Sequence, residues 1–124
     1  MKIHGIGNDI IEIERIEKSI QRYGQKFLDR IFTKNEQNYC LKHHRSSRHF
    51  AGRFAAKEAV VKALGTGIRE GISWLDIEII NDNFGKPCVS FSEKLQISFP
   101  NTQVLLSISH AQLYATAMAM LVEE

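Results

Sequence analysis

Between residues 3 and 13 the run Ile-His-Gly-Ile-Gly-Asn-Asp-Ile-Ile-Glu-Ile is rich in β-branched residues, and a period of two puts Ile3, Gly5, Gly7, Asp9, Ile11 and Ile13 on one face. This predicts a strand carrying a carboxylate, Asp9, on its apolar side. The two glycines on that side leave room for a close approach, and a carboxylate so placed must accept several hydrogen bonds or bind a metal. Glu12 and Glu14 fall on the polar face and read as solvated. The period then lengthens, since Ile13, Ile16 and Ile20 suit a helix from about Glu12 to Gln21 that Tyr23-Gly24 interrupts, and an amphipathic segment follows from Lys26 to Phe32. Thr33 with Glu36 three residues on is the start signal of a helix running through Tyr39 and Leu41.

The alanine-rich stretch Arg53 to Leu64 predicts the central helix, ended by Gly65-Thr66-Gly67 and Gly71. Its apolar stripe is Ala56, Ala59, Val60, Ala63 and Leu64, while Arg53 and Lys57, and Glu58 and Lys62, are i,i+4 neighbours. The charged side is therefore expected to face away from the core. Phe54 and Val61 flank Glu58 at i−4 and i+3, so that carboxylate emerges between apolar groups and needs a cation if it is covered. Downstream, Ile72 to Ile80 contains an alternating strand with Trp74, Ile77 and Ile79, residues 81–87 form a turn cluster, and Cys88 to Phe91 resume a strand. Ser92 to Ile97 suits a helix closed by Phe99-Pro100-Asn101, and Val104 to Ser109 with Tyr114 to Val122 suits a hairpin.

At 124 residues, 44% hydrophobic and 24% charged, the chain has the length of one globular domain with a real core. The net charge of +2 is too weak to argue for nucleic acid, so an anion site must come from local clustering, which occurs between Lys42 and Lys57. Cys40 and Cys88 lack the spacing of a zinc site and fit reduced thiols of a cytoplasmic protein. No run approaches the roughly 18 apolar residues of a spanning helix, and the N-terminus has no signal pattern, so no membrane association is expected. His43, His44 and His49 lie in a basic link without the carboxylates or regular spacing of metal ligands.

Familiar motifs fail on inspection. Gly5-Ile6-Gly7 begins a dinucleotide fingerprint, but Ile10 stands where the third glycine should be. Ser109 and His110 are adjacent in a predicted strand and so point to opposite faces, which does not make a nucleophile–base pair. What survives is a pair of carboxylates suited to a hard cation, Asp9 and Glu58, with Arg45, Arg53, Lys57 and Lys62 as anion partners, a set that suits metal-assisted chemistry on a diphosphate. A non-catalytic binder of nucleotides or RNA would use the cations but leave both carboxylates without a purpose, and no aromatic platform interleaves the charges.

Gly5 to Ile16, Phe50 to Gly67 and Ser107-Ile-Ser-His110, with Asp76-Ile-Glu-Ile and Gly85-Lys-Pro87 between them, together resemble the motifs of the holo-[acyl-carrier-protein] synthase family, the bacterial phosphopantetheinyl transferases of fatty acid synthesis. The similarity runs essentially end to end and in family order. It implies a small α+β fold, an antiparallel sheet packed with helices, typically assembled as a homotrimer with coenzyme A held between neighbouring subunits. It also implies transfer of 4′-phosphopantetheine from coenzyme A to a serine of apo acyl carrier protein. Asp9 and Glu58 match the family's magnesium-ligand positions, and Lys62 matches the lysine beside the diphosphate. Arg45, Arg53, Gly65, Gly85, Pro87 and His110 match positions near the coenzyme, whereas Arg15, Arg22, Lys26, Phe27 and Arg30 resemble the surface that meets the carrier. His44 and His49 depart from the lysine and aromatic that relatives often carry there, positions that bear on coenzyme affinity and its pH dependence.

Overall fold

The computed structural model describes residues 1–65 and 71–124. Strand β1 (Lys2–Glu12) is followed by helices α1 (Ile13–Tyr23), α2 (Gln25–Ile31), α3 (Lys34–Leu41) and α4 (Ser46–Leu64). A 3-10 turn (Trp74–Asp76) then leads into β2 (Ile77–Asn81) and β3 (Pro87–Phe91), and α5 (Glu93–Ser98), β4 (Thr102–His110) and β5 (Tyr114–Glu123) complete the order. The strands form an antiparallel sheet in the order β1-β5-β4 and a separate β2-β3 hairpin. An α+β fold is what the resemblance implied.

α4 lies across the inner face of the larger sheet because both surfaces are lined with small residues. Gly5, Gly7, Ala115, Ala117 and Ala119 face Ala55, Ala56, Ala59 and Ala63. The fit is close enough that a Cβ built on Gly5 would stand 2.1 Å from the Ala63 carbonyl oxygen, and one on Gly7 would stand 2.0 Å from that of Ala59. The room left by the two glycines is thus taken by the backbone of α4. Gly65 closes the helix with φ of 80°, a left-handed conformation that glycine adopts without steric cost. Thr66 and Gly67, expected to share in that turn, lie outside the described residues.

Several expected boundaries shift. Ile13 opens α1 and does not extend β1, and Trp74 belongs to the 3-10 turn, where Ser73 accepts from the Leu75 amide, so the strand starts only at Ile77. The basic link is shorter than its sequence suggests, since Ser46 to His49 already form the first turn of α4. Thr33 and Glu36 make the reciprocal cap that their spacing predicts.

The largest correction concerns the charged side of α4. Arg53 is 5% exposed and Lys57 is fully buried. Lys57 Nζ sits 2.7 Å from Glu36 Oε1 and donates to the carbonyls of Ile31 at 2.8 Å and Trp74 at 3.0 Å. Glu36 in turn accepts from the Thr33 and Ile79 amides. Both charges are buried with their hydrogen bonds made, the condition under which burial is tolerated. Lys57 therefore ties α2, α3 and the 3-10 turn to the central helix, with β2 held through Glu36, and is removed from the anion partners.

The outer sheet face is apolar and open: Ile6, Ile10, Leu105 and Met118 are 58%, 64%, 45% and 47% exposed. No helix among the described residues is long and apolar enough to cross a membrane.

Candidate active site

Asp9 sits near the far end of β1 and Glu58 in the middle of α4, so the close packing of that helix on the strand brings the two carboxylates together. Asp9 is 18% exposed in its side chain, and Lys62 Nζ reaches it at 3.3 Å while donating to the Asn8 carbonyl at 2.9 Å. Glu58 is half-buried between Phe54 and Val61. Burial raises its pKa above the ordinary carboxylate value, the Asp9 charge raises it further, and Lys62 offsets part of the rise. Two hard oxygen donors of like charge, one of them disfavoured in its ionised form by the other, suit a divalent cation. Among the described residues no group of three or more His, Cys, Asp or Glu could hold a metal. A carboxylate pair is nonetheless sufficient for magnesium, which keeps most of its shell for water and substrate phosphates.

A second constellation lies elsewhere on α4. A hollow of about 170 Å³ is lined by Tyr39, His49, Arg53, Asn81, Gly85, Pro87 and His110. Arg53 donates from Nη2 to Asn81 Oδ1 at 2.6 Å, and its guanidinium lies 4.0 Å above the Tyr39 ring. Its Nε is the buried side-chain polar atom without a partner among the described residues. The hollow thus gathers Arg53, Gly85, Pro87 and His110 but is walled by neither Asp9, Glu58 nor Lys62. Arg45 lines another depression with His44 and Arg48, where Glu17 brings a negative charge, and Gly65 stands at the far end of the helix.

The proposed carrier-facing residues come from α1 and α2. Arg15, Arg22, Lys26 and Arg30 are exposed, whereas Phe27 is only partly so and packs edge-on against Phe32 at 6.4 Å, dividing its ring between surface and core. Periodicity missed the role of Glu36 and Lys57, because a helix wheel shows which side chains share a face and not which element covers it. It also missed the contact of His43 and His49, whose rings stack at 3.7 Å. The signal available was the i,i+4 spacing of His49 and Arg53, which a helix starting at Ser46 turns toward Tyr39 of α3.

A family model described as the 4′-phosphopantetheinyl transferase superfamily matches residues 5–119. The chain belongs to this family. It is 64% identical over 116 residues to the holo-[acyl-carrier-protein] synthase of Protochlamydia amoebophila, covering 94% of this chain and 95% of that protein. Among solved structures, a holo-[acyl-carrier-protein] synthase from Bacillus anthracis in complex with CoA (3′,5′-ADP) is 45% identical with a TM-score of 0.84, covering 98% of both chains. The Helicobacter pylori synthase in complex with coenzyme A is 37% identical with a TM-score of 0.87, covering 94% of this chain and 99% of that one. The phosphopantetheinyl transferase fold thus accounts for the whole element order described above.

Proposed function

We propose that this chain transfers the 4′-phosphopantetheine group of coenzyme A to a serine of apo acyl carrier protein, releasing adenosine 3′,5′-bisphosphate. The observation that carries this reading is the meeting of Asp9 and Glu58 beside Lys62, in a chain of the phosphopantetheinyl transferase family. The serine oxygen forms a bond to the phosphorus that bears pantetheine. The phosphoanhydride bond breaks and the bisphosphate departs. Asp9 and Glu58 would hold magnesium, which when bound supplies neutralising charge to the diphosphate. Lys62 places an ammonium where a diphosphate oxygen gains negative charge in the transition state. Glu58, whose proton affinity the fold raises, is suited to receive the serine proton directly or through a water.

The separation of the carboxylates from the Arg53 hollow supports a coenzyme site shared between subunits, with Gly65 and Lys62 from one and Arg45, Arg53, Gly85, Pro87 and His110 from another. The open apolar sheet face supplies the surface for such an assembly, which we read as a homotrimer. The cations of α1 and α2 suit an acidic carrier protein. We place the enzyme in the cytoplasm, at the step that provides holo carrier protein to fatty acid synthesis. Incubation with apo carrier protein, coenzyme A and magnesium should add one phosphopantetheine mass to the carrier. No gain across varied divalent metals and carriers would reject the reading.

A further inference from the structure

His43 and His49 form, together with His110, a three-ring cluster at the edge of the Arg53 hollow. His43 Nδ1 lies 2.9 Å from the Tyr39 carbonyl oxygen, which only accepts, so that nitrogen carries a hydrogen. The His49 ring stacks on His43 at 3.7 Å between centroids, with 29° between planes, and His110 meets His49 edge-on at 5.5 Å. Two imidazolium rings so close would repel each other strongly. His49 is accordingly kept neutral: burial first, then His43, His110, Arg53 and Arg48, bring it down to about 4. His110 is lowered as well, by burial and by Arg48.

The titratable and charged groups facing His49 are Arg48 and Arg53 on α4, Tyr39 on α3, His43 just beyond it, and His110 on β4. None is a carboxylate. Asn81, Gly85 and Pro87 complete the hollow from the β2-β3 hairpin without adding charge. Arg53 brings a fixed positive charge to the same space. A hollow with one permanent cation and the neutral rings of His49 and His110 has the chemistry to accept an anion, and the anion reduces the penalty on protonating a ring.

Resting on the reading of the chain as a coenzyme A-dependent transferase with its coenzyme at this hollow, we propose that the imidazole cluster couples coenzyme A binding to the uptake of a proton. When a phosphate of coenzyme A enters the hollow, one imidazole, that of His49 or His110, takes a proton from solvent and joins Arg53 in holding it. The proton returns to solvent when the nucleotide leaves. Affinity for coenzyme A then rises as pH falls, by up to about tenfold per pH unit for one linked proton.

Titration calorimetry of the wild-type protein with coenzyme A and magnesium, in two buffers of different ionisation enthalpy at neutral pH, reads the proton uptake. Proton NMR of the imidazole C2–H signals locates it. Net uptake is expected, with the His49 or His110 midpoint moving upward on binding, and both His49→Phe and His49→Gln should reduce the uptake and flatten the pH dependence of Kd. Coenzyme A binding with a buffer-independent enthalpy and unmoved imidazole midpoints would overturn the coupling while leaving the transferase reading in place. Absence of any coenzyme A binding would remove that reading, and the coupling with it.

Discussion

Replacing Gly7 by Ala tests whether the site depends on the contact between strand and helix. The added Cβ would lie 2.0 Å from the Ala59 carbonyl oxygen and 2.8 Å from both the Ala63 nitrogen and the Lys62 Cβ. The first two are backbone atoms of α4, which cannot turn aside as a side chain can. Since non-bonded heavy atoms settle at about 3.5 Å, the helix must withdraw from β1 by roughly 1.5 Å. Overpacking of this kind costs about 3 kcal/mol. The same withdrawal separates Asp9 on β1 from Glu58 and Lys62 on α4, and a misplacement of about 1 Å at reacting groups costs on the order of 100-fold in rate. Gly7→Ala should therefore lower the urea midpoint and, under conditions where the protein remains folded, reduce transfer of phosphopantetheine about 100-fold. Full activity with an unchanged midpoint would refute the argument that the helix backbone rests on this glycine.

Glu58→Gln should reduce transfer at least about 100-fold by removing a charge from the reacting centre. Because the folded pKa of Glu58 is raised above its unfolded value, the stability it contributes is present at low pH and lost as pH rises through the folded value, so its ionised form is a burden at neutral pH. The variant should accordingly melt slightly higher than wild type at pH 7 and converge with it as pH falls to about 4; a lower Tm at pH 7 would contradict the raised pKa. Lys57→Met leaves Glu36 buried without its cation and should cost about 3–5 kcal/mol in urea unfolding. Lys57→Met/Glu36→Leu should recover only part of this, because the Thr33 and Ile79 amides lose their acceptor, and a loss below about 1 kcal/mol in the single variant would show that the pair is not buried. Arg15→Glu should raise KM for the carrier on the order of tenfold with little change for coenzyme A, and added salt should weaken the wild-type reaction through the same term; unchanged carrier kinetics would move the docking surface elsewhere. Light scattering should find about three chains per particle and Ile10→Asp should reduce this number, whereas a fully active single-chain protein would contradict a shared site.

Much of this molecule was legible in local pattern. Alternation marked β1 and the β4-β5 hairpin, the Thr33–Glu36 spacing marked the start of α3, and Asp9, Glu58 and Lys62 stood out as a candidate site. These features depend on neighbours within a turn or two of chain, where backbone geometry and side-chain period decide the outcome. The family motifs, read along the whole chain, added the fold class and the activity that no short pattern carries. Tertiary packing decided the rest. Lys57 and Glu58 are adjacent on a helix, yet one is sealed against a glutamate from another helix and the other stays half open beside Asp9. Which of the two was sealed into the core and which was left at the candidate site depended on what folds over each face of α4. That covering comes from segments distant in sequence, whose position follows from the burial of the whole core and not from the period of any one element.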